Sequence, residues 1–127
     1  MKVGIKGYYE TIVTKENVAT AMKSGAVDVF ATPMMIAGME GAAADCVKPY
    51  LADGEATVGT HVNVSHLSAT PIGMKVSFES ELTEIDRKRL VFHVIARDEA
   101  GLIGEGTHER FIINTEKFMS RAEAKKG

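Results

Sequence analysis

Glu40 is the residue whose setting most demands a chemical explanation. If the stretch around it is helical, its neighbours three and four residues away are Ile36, Ala37, Ala43 and Ala44, so a carboxylate stands inside an apolar stripe. It lies too far from Thr32 for the reciprocal cap that an acid makes three residues after a helix N-cap. An unpaired carboxylate in such surroundings pays a desolvation penalty or takes up a proton. Either Glu40 escapes to the surface or pairs with a buried arginine, or it is a reactive group, able to act as a general base or a nucleophile.

His66 is the second candidate. It ends a run of alternating residues and precedes the loop LSATPIG. A histidine there is either a solvated or core-satisfied side chain or an acid–base group. His61, His93 and His108 carry weaker cases, and no pair has zinc-finger or HExxH spacing, so no metal is expected. Thr32 reads as a helix N-cap whose hydroxyl is also placed to hold a carbonyl or a carboxylate. Arg110 stands beside Glu109 and reads as one half of a surface pair. Gly104 and Gly106, on one face of a strand, imply close approach of a backbone, a ligand or a helix rich in small residues. There is no serine nucleophile elbow, no P-loop and no dinucleotide fingerprint.

The elements that must carry these residues follow from pattern. Residues 7–14 (GYYETIVT) read as a first strand, and residues 15–26 as a short helix or a mobile connection ending at Gly25. Thr32-Pro33 opens the clearest helix, with Thr32 as cap and Pro33 in the first turn, and Pro49 ends it near Lys48. Its content, MMIAGMEGAAADCV, is apolar nearly all round and crowded with glycine and alanine, which predicts a buried helix closely approached by a sheet. Residues 56–66 alternate with Val58, Val62 and Val64 on one face. Residues 74–86 alternate with Val76, Phe78 and Leu82 inward and Lys75, Glu79 and Glu81 outward. Residues 89–97 and 102–113 complete a meander through the turns at Asp86-Arg87-Lys88 and Asp98-Glu99-Ala100-Gly101. The charged tail, residues 115–127, is helical or frayed. One antiparallel sheet curled around one apolar helix satisfies every face, so the fold class is α+β with a curved sheet wrapped around a long buried helix, the hotdog arrangement.

The totals narrow the class. The chain has 127 residues, 45% of them hydrophobic and 25% charged, which suits a single globular domain over residues 1–127. A net charge of −2 gives no electrostatic case for nucleic acid. Cys46 is the one cysteine and cannot form an internal disulfide; no signal peptide and no membrane-length apolar run is present, so a cytoplasmic protein is expected.

Three stretches, FATPMMIAGMEGAA, TVGTHVNVSHLSATPIG and RDEAGLIGEGTHERFII, resemble the fluoroacetyl-CoA thioesterase-like family of hotdog proteins. The resemblance runs from about Val27 to about Phe118. It implies an acyl-CoA thioesterase that hydrolyses a small acyl-CoA to free acid and CoA, with Thr32, Glu40 and His66 as the catalytic set and Gly59 and Arg110 as supporting, substrate-binding residues. It also implies a site between two subunits, hence a homodimer or a dimer of dimers. No metal or redox cofactor is implied, coenzyme A entering as part of the substrate. Neither a nucleic acid nor a membrane is an expected partner. The family's aromatic lid has no counterpart here, because no Phe, Tyr or Trp occurs between Glu10 and Phe30, and a different acyl group is expected. Two other readings of the same fold are a hydratase or dehydratase acting on acyl-CoA and an acyl-CoA-binding protein without turnover.

Overall fold

The computed structural model describes residues 1–127. In chain order it contains β1 (Lys6–Ile12), α1 (Thr32–Val47), β2 (Glu55–His66), β3 (Lys75–Asp86), β4 (Arg89–Asp98), β5 (Gly101–Asn114) and α2 (Thr115–Glu123), with one-turn 3-10 segments after each helix. The strands form one antiparallel sheet in the order β1-β3-β4-β5-β2, and α1 lies against it, chiefly on β1 and β3. Strand boundaries fall within one or two residues of the sequence expectation. Residues 15–26 resolve to turns rather than a helix: Val18 and Ala19 are buried, and Asn17 bridges Thr14 N–H and the Ile12 carbonyl at 2.8 and 3.0 Å.

The sheet alternates as its sequence requires. Val76, Phe78, Ser80 and Leu82 of β3 and Leu90, Phe92, Val94 and Ala96 of β4 are buried on the face that meets α1. The small residues of α1 let that sheet come close. A Cβ on Gly38 would stand inside the Phe78 ring, and the buried Ser80 hydroxyl donates to the Ala42 carbonyl at 2.8 Å. Gly104 and Gly106 have the same explanation without any ligand. A Cβ on Gly104 would lie 2.6 Å from the Met35 sulfur of α1, and one on Gly106 would collide with the Asn63 carbonyl of β2.

Three expectations are corrected. Ala31, not Thr32, is the N-cap of α1, and no side chain caps the helix; Thr32 is already helical. The helix is not buried all round: Pro33, Ala37 and Asp45 are exposed and Glu40, Gly41 and Ala44 partly so, which leaves one stripe open. Val58 does not share a face with Val62 and Val64. The register slips between Gly59 and His61, where Thr60 is the extra residue of a β-bulge. Thr57 and Gly59 before it pair with Ile112 and Arg110, while Val62 and Val64 after it pair with His108 and Gly106. Residues opposite one another in a ladder share a face, so both sets look toward α1 and Val58 looks away.

Candidate functional site

Thr32 and His66 meet. The Thr32 hydroxyl and His66 Nδ1 are 2.7 Å apart, because Thr32 is free of capping duty in the first turn of α1 and His66 ends β2 opposite Gly104 on the helix-facing side. The other ring nitrogen, Nε2, is buried and has no hydrogen-bond partner in the chain. Burial holds the His66 imidazole below its ordinary value of 6.5, against an opposing contribution from the Ser68 backbone. The ring is therefore neutral near pH 7, with one nitrogen on a hydroxyl and the other unengaged. Beside it lies a cleft of about 290 Å³ walled by Ala19, Ser24, Val29, Phe30, Leu67 and Ala69. Four of these walls, Ala19, Ser24, Val29 and Phe30, come from the segment that precedes α1.

Glu40 belongs to a second cluster two helical turns further on. Its carboxylate lies 3.9 Å from Arg110 Nη1, and its side chain is 41% exposed, so it borders the open stripe of α1. A Cβ on Gly59 would sit 2.9 Å from Glu40 Oε2 and 3.1 Å from the His108 ring, so a side chain there would displace one of them. The visible role of Gly59 is thus to leave room for the carboxylate.

Arg110 is not the surface residue its neighbour suggested. Only 8% of it is exposed, and Glu109 pairs instead with Arg89 at 2.7 Å on the other face. Arg110 Nε donates to the Thr57 hydroxyl at 2.8 Å, Nη2 to the Thr57 carbonyl at 2.9 Å, and Nη1 faces His108 Nε2 at 3.2 Å. Arg110 has no acceptor role, so His108 Nε2 accepts and its Nδ1–H donates to the His61 carbonyl at 2.8 Å, which fixes a neutral tautomer. Burial holds His108 below 6.5, the Arg110 charge adds to that, and the His61 carbonyl opposes it. Burial likewise works against the Arg110 charge and Glu40 restores part of it. Thr57 and His108 were missed as members of this cluster. The signal was available for His108, two residues before Arg110 in the same strand and hence on the same face.

Both depressed histidines make stability pH-dependent. Above pH 6.5 His66 and His108 are neutral whether the chain is folded or not. Below that value the unfolded chain takes up protons that the folded chain refuses, so stability is lost as pH falls. The expected Tm is flat from pH 8 to about 6.5 and declines between 6.5 and 5, read by a thermal melt at each pH; a Tm unchanged down to pH 5 contradicts the burial of both rings.

The comparisons with known proteins agree with this frame. Residues 13–116 match the family model described as fluoroacetyl-CoA-specific thioesterase. The fluoroacetyl-CoA thioesterase of Streptantibioticus cattleyicolor is 42% identical over 98 residues, 77% of this chain and 70% of that protein. A solved structure of fluoroacetyl-CoA thioesterase superimposes with a TM-score of 0.93 at 34% identity, covering 98% of this chain and 97% of the other. A hot-dog-like protein from Thermanaerovibrio acidaminovorans, 23% identical over 100% of this chain and 94% of its own, gives a TM-score of 0.91 and shows the fold alone. The architecture is the hotdog fold, and the chain belongs to the fluoroacetyl-CoA-specific thioesterase family.

Proposed function

We propose that the chain hydrolyses a small acyl-CoA thioester to a free acid and CoA, using Thr32, Glu40 and His66. The observation that carries this reading is the carboxylate of Glu40, kept half open to solvent on an apolar helix by the room at Gly59 and the buried charge of Arg110. A carboxylate that only stabilised the fold would gain nothing from facing the open stripe.

The two clusters do not meet within one chain. Thr32 and Glu40 are eight residues apart in α1, about 12 Å along its axis, farther than their side chains reach. A second copy closes the gap. β2 is an edge strand, with one side unpaired along Glu55–His66, and antiparallel pairing with its own copy is the symmetric way to cover it. With Thr60 counted as the extra residue of the bulge, a two-fold axis through Asn63 sets Gly59 opposite His66 of the partner subunit, both on the helix-facing side. The functional unit is then a homodimer with two composite sites. The open stripe of α1 lies elsewhere: its Ala37, Gly41 and Ala44 line a cavity of about 400 Å³ with Tyr9 and Thr11 of β1, at the opposite edge of the sheet.

In such a site Glu40 takes a proton from water, and the hydroxide adds to the thioester carbonyl. Alternatively Glu40 itself adds, giving an anhydride that water then opens. In both routes the C–S bond breaks as the tetrahedral intermediate collapses. The CoA sulfur leaves as a thiolate; in the general-base route the neutral imidazole takes the proton from the acid formed at Glu40 and passes it to the sulfur, and in the anhydride route the water that opens the anhydride supplies that proton. The Thr32 hydroxyl holds the ring in one orientation and stands near the carbonyl. Arg110 fixes the carboxylate, and its burial argues for that role over contact with a CoA phosphate. No step calls on a metal or a redox cofactor.

The deciding measurement is release of free thiol from a panel of short acyl-CoAs, run with and without a chelator. The wild-type chain is expected to release thiol in both conditions, from a particle twice the 13.7 kDa chain mass. His66→Ala is expected to lower kcat by about 10²-fold with the dimer intact. A monomer of full activity, or a His66→Ala variant with normal kcat, rejects the composite site; activity lost to the chelator rejects the metal-independent route.

A further inference from the structure

The hydrolytic set leaves one buried titratable side chain without a role. His108 is 1% exposed and stands in β5 two residues before Arg110, on the same face of the strand. Its Nε2 is 3.2 Å from Arg110 Nη1, and that nitrogen is the one that faces the Glu40 carboxylate at 3.9 Å.

Geometry gives this third contact of the guanidinium its weight. Arg110 Nε and Nη2 both donate to Thr57, to its hydroxyl at 2.8 Å and its carbonyl at 2.9 Å. Two contacts on one edge of a planar fork define a line, and the plane stays free to tilt about it. Nη1 is the corner off that line, so an acceptor there fixes the plane. Glu40 does not supply that acceptor, because 3.9 Å is too long for a hydrogen bond. His108 Nε2 does.

The ring is itself held in place. Nδ1–H donates to the His61 carbonyl of β2 at 2.8 Å, which leaves Nε2 with a free lone pair. Phe92 of β4 packs on it with ring centroids 6.4 Å apart and planes inclined by 30°. Gly59 leaves it room, since a Cβ there would stand 3.1 Å from the ring. Burial disfavours the charged ring, which would have no lone pair to offer Nη1.

We propose that His108 is a positioning residue for the hydrolysis, acting through Arg110 to fix where positive charge stands beside Glu40. The inference rests on the reading of Glu40 as the reactive group and adds a residue to it. His108 is too deeply buried to meet the substrate, so its loss falls on kcat and not on KM.

Two variants separate the two hydrogen bonds of the ring. In His108→Gln the side-chain amide reaches the place of Nε2 and accepts from Arg110, while the bond to His61 is lost. In His108→Asn the amide reaches only the place of Nδ1, so the bond to His61 is kept and the bond to Arg110 is lost. Each variant gives up one hydrogen bond, so a ring that served stability alone would be missed equally in both. In thiol-release assays run well below both melting temperatures, kcat is expected within about threefold of wild type for His108→Gln and about tenfold or more lower for His108→Asn, with KM for the acyl-CoA unchanged in both. Equal kcat in the two variants, or a change confined to KM, overturns the assignment. Solvent exchange of the Arg110 Nε–H proton, followed by NMR, reads the anchoring without turnover: slow in wild type and His108→Gln, faster in His108→Asn. The same exchange rate in all three proteins overturns the anchoring. A wild-type chain that releases no thiol removes the hydrolase reading, and the exchange rates then decide the anchoring alone.

Discussion

Glu40→Gln is expected to lower kcat for acyl-CoA hydrolysis by about 10³-fold, whether the residue acts as base or nucleophile, because an amide can do neither. The substitution keeps the shape of the side chain, so the room left by Gly59 remains filled as before. Its effect on stability is expected to be small. The partner nitrogen lies 3.9 Å away and the carboxylate is 41% exposed, so water already screens much of the attraction. This separation of rate from stability distinguishes catalysis from a structural ion pair. A structural Glu40 would show a lower Tm with near-normal turnover; the expected result is near-normal Tm with turnover almost abolished. Thiol release and a thermal melt on the same preparation decide between them.

Arg110→Met is expected to have the largest effect on stability. Arg110 is 8% exposed, and its guanidinium satisfies the Thr57 hydroxyl, the Thr57 carbonyl and His108 Nε2. Methionine fills similar space but leaves those acceptors without donors in a buried position. A loss of about 3 kcal/mol follows from the three unsatisfied acceptors at about 1 kcal/mol each, or roughly 10 °C in Tm. Activity should fall with it, since the Glu40 carboxylate loses the charge beside it. Arg110→Lys refines the reading. A lysine keeps the charge but cannot reach Thr57 and His108 together, so it should remain well below wild type in both stability and rate. A Lys variant that matches wild type would mean that charge alone, and not the planar fork, holds the cluster.

Much of this was written in local pattern. Alternation in β3 and β4 and the apolar content of α1 gave the curved sheet and its helix, since period-two and all-round apolar segments each admit few partners. The proposed set of Thr32, Glu40 and His66 could be named residue by residue only where a motif carried it. What stayed hidden depended on contacts between distant segments. The one-residue displacement of the α1 cap, from Thr32 to Ala31, releases the hydroxyl to His66, yet a threonine before Pro33 looks like a cap from sequence alone. The burial of Arg110 depends on Thr57, which lies 53 positions earlier in the chain and is brought beside it by the β2–β5 ladder. Glu109, its sequence neighbour, pointed to the wrong partner because adjacent strand residues face opposite ways. The openness of α1 on one side was invisible for a related reason: an apolar stripe looks the same in sequence whether its own sheet covers it or leaves it open.

The bulge at Thr60 acts on β2 as a frameshift acts on a message. Upstream of it odd-numbered positions look at α1; downstream even-numbered ones do. That change of phase is what allows Gly59 to attend Glu40 and His66 to attend Thr32 from a single continuous strand. Excising the one extra residue would not merely shorten the strand. It would rotate one of the two clusters to the outside of the sheet, so the length of this segment is as much a part of the chemistry as the identity of its side chains.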